Sequence, residues 1–312
     1  MITEQDSLRP QNESQEKPSV SVSQMFEDFC GQLVLPQTLR SSISTRTGRV
    51  VGRLNSDFRN SASDTANRFY AGSYGRSTAV PGISDIDLIC ILPYETYAQY
   101  NAYGGNKQSS LLQAVRASLN NTYPNSAVIA DGQIVKINFT DGITYEIVPV
   151  FLNKDGSYTY ADSNNGGSWK TCKPKHEIDS FLERDAQSNR NLVVLGRMVR
   201  AWRDNNNVGM SGMLIDTLAY QFIENYEHRG QSFLYHDFMA RDFFDFLSKL
   251  DMNQTWWRAP GSGAYVSRKG VFQHKARSAF LRSVEAIQYN DTTYDWSRRQ
   301  KWREVFGPLY PS

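Results

Sequence analysis

The spacing of apolar residues divides the chain into two unlike parts. From Val22 to about Phe58 they recur every three or four positions: Phe26, Phe29 and Leu33 share a face, the pattern breaks near Pro36, and Leu39, Ile43, Val50 and Leu54 continue it. This predicts a long helix ahead of the first strand. The segment RFYAGSYGRSTAVPGISDIDLICILP then reads as strand, glycine-rich turn and second strand. In the latter, Ile86, Leu88, Ile89, Cys90, Ile91 and Leu92 do not alternate, the mark of a central strand covered on both faces. Ser109 to Leu119 predicts a helix, and IVKINFTDGITYEIVPVF a hairpin turned at Asp141-Gly142 whose second arm carries Glu146.

Past the polar stretch ADSNNGGSWKTCKPKHE the period becomes helical: Asn191 to Asp204, Met213 to Tyr226, Phe238 to Leu250, Val271 to Ile287 and Trp296 to Phe306. The expected fold is α+β. A mixed, twisted sheet with flanking helices occupies residues 21–188, and a helical lobe over 189–312 closes a cleft against it. Residues 1–20, polar and with two prolines, are expected to be a flexible tail.

Composition narrows the class. Of 312 residues, 40% are hydrophobic and 21% charged, which excludes a disordered chain. Net charge is +2, from 34 basic and 32 acidic side chains, far below the excess of a protein that grips a long polyanion. No apolar run reaches membrane-spanning length and no signal peptide is visible, so a cytoplasmic protein is expected. Cys30, Cys90 and Cys172 lie too far apart for a zinc or disulfide framework and are expected as reduced thiols. His176, His228, His236 and His274 show no ligand spacing. Trp256-Trp257 and Phe243-Phe244 are expected in the core between helices, and Arg298, Arg299, Lys301 and Arg303 on a solvated face.

The candidate chemistry starts at Asp85 and Asp87. Two positions apart on a strand, their carboxylates project from one face, about 6.5–7 Å apart at Cα. Hard oxygens so placed suit two Mg²⁺ ions roughly 3.5–4 Å apart, which can activate a hydroxyl and stabilise a pyrophosphate leaving group. Glu146 supplies a third carboxylate if its strand pairs beside the aspartates, with Tyr145 and Ile147 facing the core. Upstream, the turn at Gly72 and Ser73 lets backbone approach phosphate.

Gly72-Ser73, Asp85-Ile86-Asp87 and YEIVPVF together resemble the polymerase-β-like nucleotidyltransferases, most closely the bacterial relatives of cyclic GMP-AMP synthase and oligoadenylate synthase (CD-NTases, SMODS type). In that family a Gly-Ser turn, two Asp on one strand and a third acid on another hold Mg²⁺, with Mn²⁺ as a possible substitute. The resemblance continues through GGSWK, NLVVLGRMVRAWRD and SGMLIDTLAY. It implies that Arg200 and Ser211 contact the donor triphosphate, with Arg197 a further candidate on the same helix face as Arg190. Arg in place of the common Lys would bind phosphate as a fork. Relatives often carry Tyr after the serine; here Gly212 stands there, and Tyr158, Tyr160 or Trp169 is left to stack on a base.

The resemblance further implies nucleoside triphosphate substrates, ATP among them, joined into a cyclic di- or trinucleotide. That product would be a second messenger of CBASS antiphage defence, read by a separate effector protein. A monomer is expected, with no double-stranded DNA requirement. Two alternatives stay open: a linear oligonucleotide or a nucleotide placed on a protein, and a catalytically silent binding or antitoxin module.

Overall fold

A computed structural model describes residues 21–289 and 294–312. The tail expected over residues 1–20 lies outside the described residues. Helix α1 (Val22–Gln32) begins where the Ser21 hydroxyl accepts from the Gln24 amide, and Pro36 separates it from α2 (Gln37–Arg59). The predicted break at Pro36 is therefore real, and it sends the two helices to different places.

Strands β1 (Arg68–Tyr70) and β2 (Asp85–Ile91) pair antiparallel, with the four-residue helix α3 (Gly72–Gly75) in the turn between them. Then come α4 (Tyr94–Asn101), α5 (Lys107–Thr122), β3 (Ala127–Asp131), β4 (Ile134–Asn138) and β5 (Thr144–Leu152). The sheet order is β1-β2-β5-β4-β3, and β5 lies parallel to β2 in an otherwise antiparallel sheet. The predicted hairpin at Asp141-Gly142 is the β4–β5 connection.

On one face, Ile86, Leu88 and Cys90 of β2 and Tyr145 and Ile147 of β5 pack under α2 and α5. On the other, Ile89 meets Ala71, Val150 and Ile178. Coverage of both faces is what the unbroken apolar run demands. The acids open the strand at its uncovered end.

A hairpin that the apolar pattern did not show, β6 (Tyr158–Asp162) and β7 (Ser168–Cys172), runs into the polar stretch and extends the sheet from β5. Its strands are short and carry little apolar alternation, β6 being largely buried and β7 largely exposed, so periodicity could not show them. The helical half comprises α6 (Pro174–Gln187), α7 (Asn191–Asn205), α8 (Gly212–Glu224), α9 (His236–Lys249), α10 (Gln273–Gln288) and α11 (Asp295–Phe306). It also contains a two-stranded hairpin, β8 (Trp256–Arg258) and β9 (Tyr265–Ser267).

That hairpin corrects one expectation: Trp257 is buried, but Trp256 is exposed against Tyr265. Phe243 and Phe244 are core, as expected. The basic run on α11 is not a free solvated face, because Arg298 is buried with Asp295, Arg299 also pairs with Asp295, and Lys301 reaches Glu285 at 2.8 Å. The three cysteines are free thiols, and burial pushes Cys30 and Cys90 up to about 12.

Helix α1 falls inside the segment expected to belong to the sheet half, yet it packs on the helical half. Phe26 meets Trp302 at 4.9 Å and Phe29 meets Phe306 at 4.7 Å between ring centroids. Phe181 of α6 joins the same core.

Candidate active site

Strand pairing decides where the acids stand. Asp87 is directly opposite Glu146 in the parallel β2–β5 register, and Lys136 of β4 is opposite Glu146 in turn. One row of the sheet therefore reads Asp87, Glu146, Lys136, with Asp85 two positions along on the same face. Glu146 reaches the expected place beside the aspartates, while Tyr145 and Ile147 point into the core.

The glycine-serine turn is tied to this row. Ala71 donates its amide to the Asp87 carbonyl at 2.9 Å, and the Ser73 carbonyl accepts from the Thr78 and Ala79 amides at 2.9 and 3.1 Å. Gly72 has φ +56°, and a Cβ there would sit 1.8 Å from Asp87 Oδ2. Only glycine allows both that conformation and that approach.

These groups line a cleft of about 410 Å³ between the sheet and the helical half. Its wall includes Gly72, Ser73, Asp85, Asp87, Glu146 and Arg200. Burial, and then the neighbouring Glu146, push the Asp87 carboxyl above its ordinary range; Arg76 opposes this and Asp85 adds to it. Crowded carboxylates in partial burial are the donor chemistry that a hard divalent cation satisfies.

The side chains themselves have not gathered around a common point. Among the described residues no three His, Cys, Asp or Glu groups converge with metal-ligand spacing. Asp85 accepts from the Ser84 hydroxyl at 2.8 Å, and Glu146 Oε1 lies 3.4 Å from Lys136 Nζ. The backbone thus fits a cation, while two of the three carboxylates hold other partners.

On the helical side, the Ser211 hydroxyl caps α8 by accepting from the Leu214 amide at 3.2 Å, and the neighbouring Gly212 and Met213 line the cleft. Arg200 lines it too, but not as a free fork. Its two Nη atoms grip Asp216 at 2.7 and 2.8 Å, so the bidentate geometry expected for phosphate is taken by a buried carboxylate.

Arg197 stands apart. It donates to the Ser77 carbonyl at 3.0 Å and faces a separate hollow with Arg40 and Tyr74. Arg190 is not on that helix face: it occupies the left-handed N-cap of α7, with φ +65°.

The expected stacking partners are elsewhere. Trp169 packs on Tyr97 and Phe151, Tyr158 is buried in the small cluster behind β5, and Tyr160 packs at its margin. Among the described residues no aromatic side chain lines the cleft.

Sequence reasoning missed Arg76, Arg203 and Asp216. Arg76 and Arg203 line the cleft, and Asp216 accepts Arg76 Nε at 2.8 Å and the Thr78 hydroxyl at 3.0 Å besides Arg200. Burial alone would raise the Asp216 carboxyl, but Arg200 and Arg76 hold it below the ordinary range. The available signal was an acid in the apolar run MLIDTLAY, because a buried charge needs a partner.

Known proteins resemble this chain in sequence and in fold. The sequence profile of the Second Messenger Oligonucleotide or Dinucleotide Synthetase domain (SMODS) matches residues 20–185, more than half of the chain. A "Probable cyclic nucleotide synthase" of Bacillus cereus (strain VD146) is 20% identical over 274 residues, spanning 77% of this chain and 81% of that protein.

Among solved structures, CdnC of E. coli MS115-1 with ATP superimposes with a TM-score of 0.70 at 16% identity, covering 93% of this chain and 99% of that one. The cyclic AMP-GMP synthase DncV of Vibrio cholerae gives 0.63 at 16% identity, covering 92% and 97%. These likenesses carry the fold, a mixed sheet with a helical half, over nearly the whole chain. With more than half of its length matched by the family profile, the chain belongs to the Second Messenger Oligonucleotide or Dinucleotide Synthetase family and is a nucleotidyltransferase.

Proposed function

We propose that the enzyme joins nucleoside triphosphates, ATP among them, into a cyclic di- or trinucleotide and releases pyrophosphate at each step. The observation that carries this reading is the row of Asp87 and Glu146 on parallel strands, with Asp85 beside them and the Gly72-Ser73 turn against Asp87, all lining one cleft. The three carboxylates would hold divalent metal, Mg²⁺ with Mn²⁺ as substitute. When bound, the metal would activate the attacking ribose hydroxyl and neutralise phosphate charge.

The remaining work falls to the chain. The turn at Gly72 lets backbone come close to the phosphates, and Ser73 stands at the wall to hydrogen-bond one of them. The guanidiniums of Arg76 and Arg200 outnumber the one carboxylate of Asp216 between them, and this excess of positive charge at the wall favours a polyanion in the cleft. The new phosphorus–oxygen bond forms as the bond to the pyrophosphate oxygen breaks, and repetition within one cleft closes the ring.

By family, such a product would act as a second messenger in antiphage defence, sensed by a separate effector, with synthesis in the cytoplasm by a monomer. The test is incubation of the purified protein with Mg²⁺ and labelled nucleoside triphosphates, followed by phosphatase. A phosphatase-resistant product is expected, and Asp85→Asn with Asp87→Asn should abolish it while the circular dichroism stays unchanged. Turnover by the folded double variant would refute the metal site, and a phosphatase-sensitive product would refute cyclisation.

A further inference from the structure

Two guanidiniums reach the cleft wall around one carboxylate, and they differ in what they leave free. Arg200 donates Nη1 to Asp216 Oδ1 and to the Gly196 carbonyl (2.9 Å), and Nη2 to Asp216 Oδ2 and to the Gly212 carbonyl (3.2 Å). A guanidinium has five N–H groups, so only its Nε–H remains. Arg76 gives Asp216 its Nε–H alone, and among the described residues its Nη atoms have no partner. The pair of Nη groups is the planar edge that matches two phosphate oxygens.

Burial shows which way that edge faces. The Arg76 side chain is 5% exposed, yet its unpartnered Nη atoms are not sealed from solvent. The open space beside them is the cleft that Arg76 lines. Asp216 is wholly buried and faces two cations, so one positive charge exceeds it in a nearly dry place, and the half-buried Asp87 across the cleft wall balances that charge only in part. Burying a charge that is only partly compensated is costly, and an anion in the cleft offsets it.

We infer that Arg76 is the fork that takes phosphate oxygens of the substrate, and that Asp216 is the positioning residue that aims it. Arg200 then belongs chiefly to the mount. The inference rests on the proposed function only for the identity of the anion, the phosphate chain of a nucleoside triphosphate. Since Asp216 lies on α8 and Arg76 directly follows α3, the aim of the fork is set across the junction of the two halves.

Inorganic tripolyphosphate titrated calorimetrically into the metal-free full chain tests the fork without base or turnover. Arg76→Gln should weaken binding about 10- to 100-fold, and Arg76→Lys should restore part of it, since charge returns but not the fork. The Lys variant also guards against a Gln variant that fails to fold. Asp216→Asn should bind tripolyphosphate within about threefold of wild type while kcat falls about 10- to 100-fold, because misaim costs rate more than charge attraction. Thr78→Val, which removes another donor to the same oxygen, should move kcat in the same direction to a smaller extent and serves if Asp216→Asn does not fold.

Wild type that does not bind tripolyphosphate, or folded Arg76 variants that bind it as wild type does, would overturn the fork. An unchanged kcat in the folded Asp216 or Thr78 variant would overturn the positioning role. Arg76-dependent binding without pyrophosphate release from any nucleotide would leave the fork standing and refute the proposed function instead.

Discussion

Asp87→Asn should make the metal-free protein more stable while removing its activity. Asp87 is half-buried, and it stands directly opposite Glu146 on the neighbouring strand. Two carboxylates about 5–6 Å apart repel by about 3 kcal/mol at an effective dielectric near 20. Lys136 beside Glu146, the nearby Arg76 and partial solvent access offset most of that, leaving a net penalty of about 1 kcal/mol. For a chain of this size such a change moves the melting temperature by about 1.5–2 °C.

The pH dependence fixes the cause. Burial and Glu146 raise the Asp87 carboxyl, so the folded state binds its proton more tightly than the unfolded chain does. The penalty is absent at low pH, appears as pH rises through the unfolded and then the raised folded value, and is complete at neutrality. Melting wild type and Asp87→Asn in EDTA at pH 7 should show the variant higher, and at pH 3.5 the gap should close. Mg²⁺ should then raise the wild-type melting point more than that of the variant. A variant that melts 2 °C or more below wild type at pH 7 would refute the reasoning, since Asp87 would then be a structural partner and not a strained ligand.

Three further outcomes follow from the geometry. Gly72→Ala should lower stability by about 1–3 kcal/mol through its positive φ and displace the Asp87 carboxylate, so pyrophosphate release should fall at least about 100-fold; near-normal release would mean the close approach is unimportant. Lys136→Met should free Glu146 and reduce the Mg²⁺ concentration for half-maximal rate about 1.4- to 5-fold, and an unchanged or higher requirement would count against competition for that carboxylate. His236 is buried against Asn191 at 3.0 Å, and burial lowers it to about 4. The unfolded chain therefore takes the proton first, and stability should decline by about 3 kcal/mol as pH falls from about 6.5 to about 4. His236→Gln should flatten that decline in urea titrations, and a decline of the same size in the variant would exclude His236 as its source.

The parts legible in the sequence were those that one stretch of chain decides for itself. Asp85 and Asp87 open a run too apolar to be anything but a buried strand, and Asp141-Gly142 turned Glu146 back toward the sheet. The parallel pairing that sets Glu146 beside Asp87 was guessed from chemistry, since periodicity carries no register between distant strands. Arg200 shows the limit from the other side. Its residue type and helix face were readable, but its partner Asp216 sits on the next helix, and only packing brings the two together. The β6–β7 and β8–β9 hairpins escaped because such short strands offer too few positions to show a period, and Arg76 because a turn residue has no period at all.

The docking of α1 onto the helical half also sets a schedule for synthesis. Phe26 leaves the ribosome early, but the Trp302 and Phe306 rings it packs against arrive roughly 280 residues later, about 14–55 s at ordinary elongation rates. For the second half of that interval the turn, the acidic strand and its partner strand are already made, while the helical half still lacks the segment that completes its core. A nucleotidyltransferase assembled this way stays unfinished as a nascent chain, and a chain cut short before α11 has a first helix without its aromatic partners.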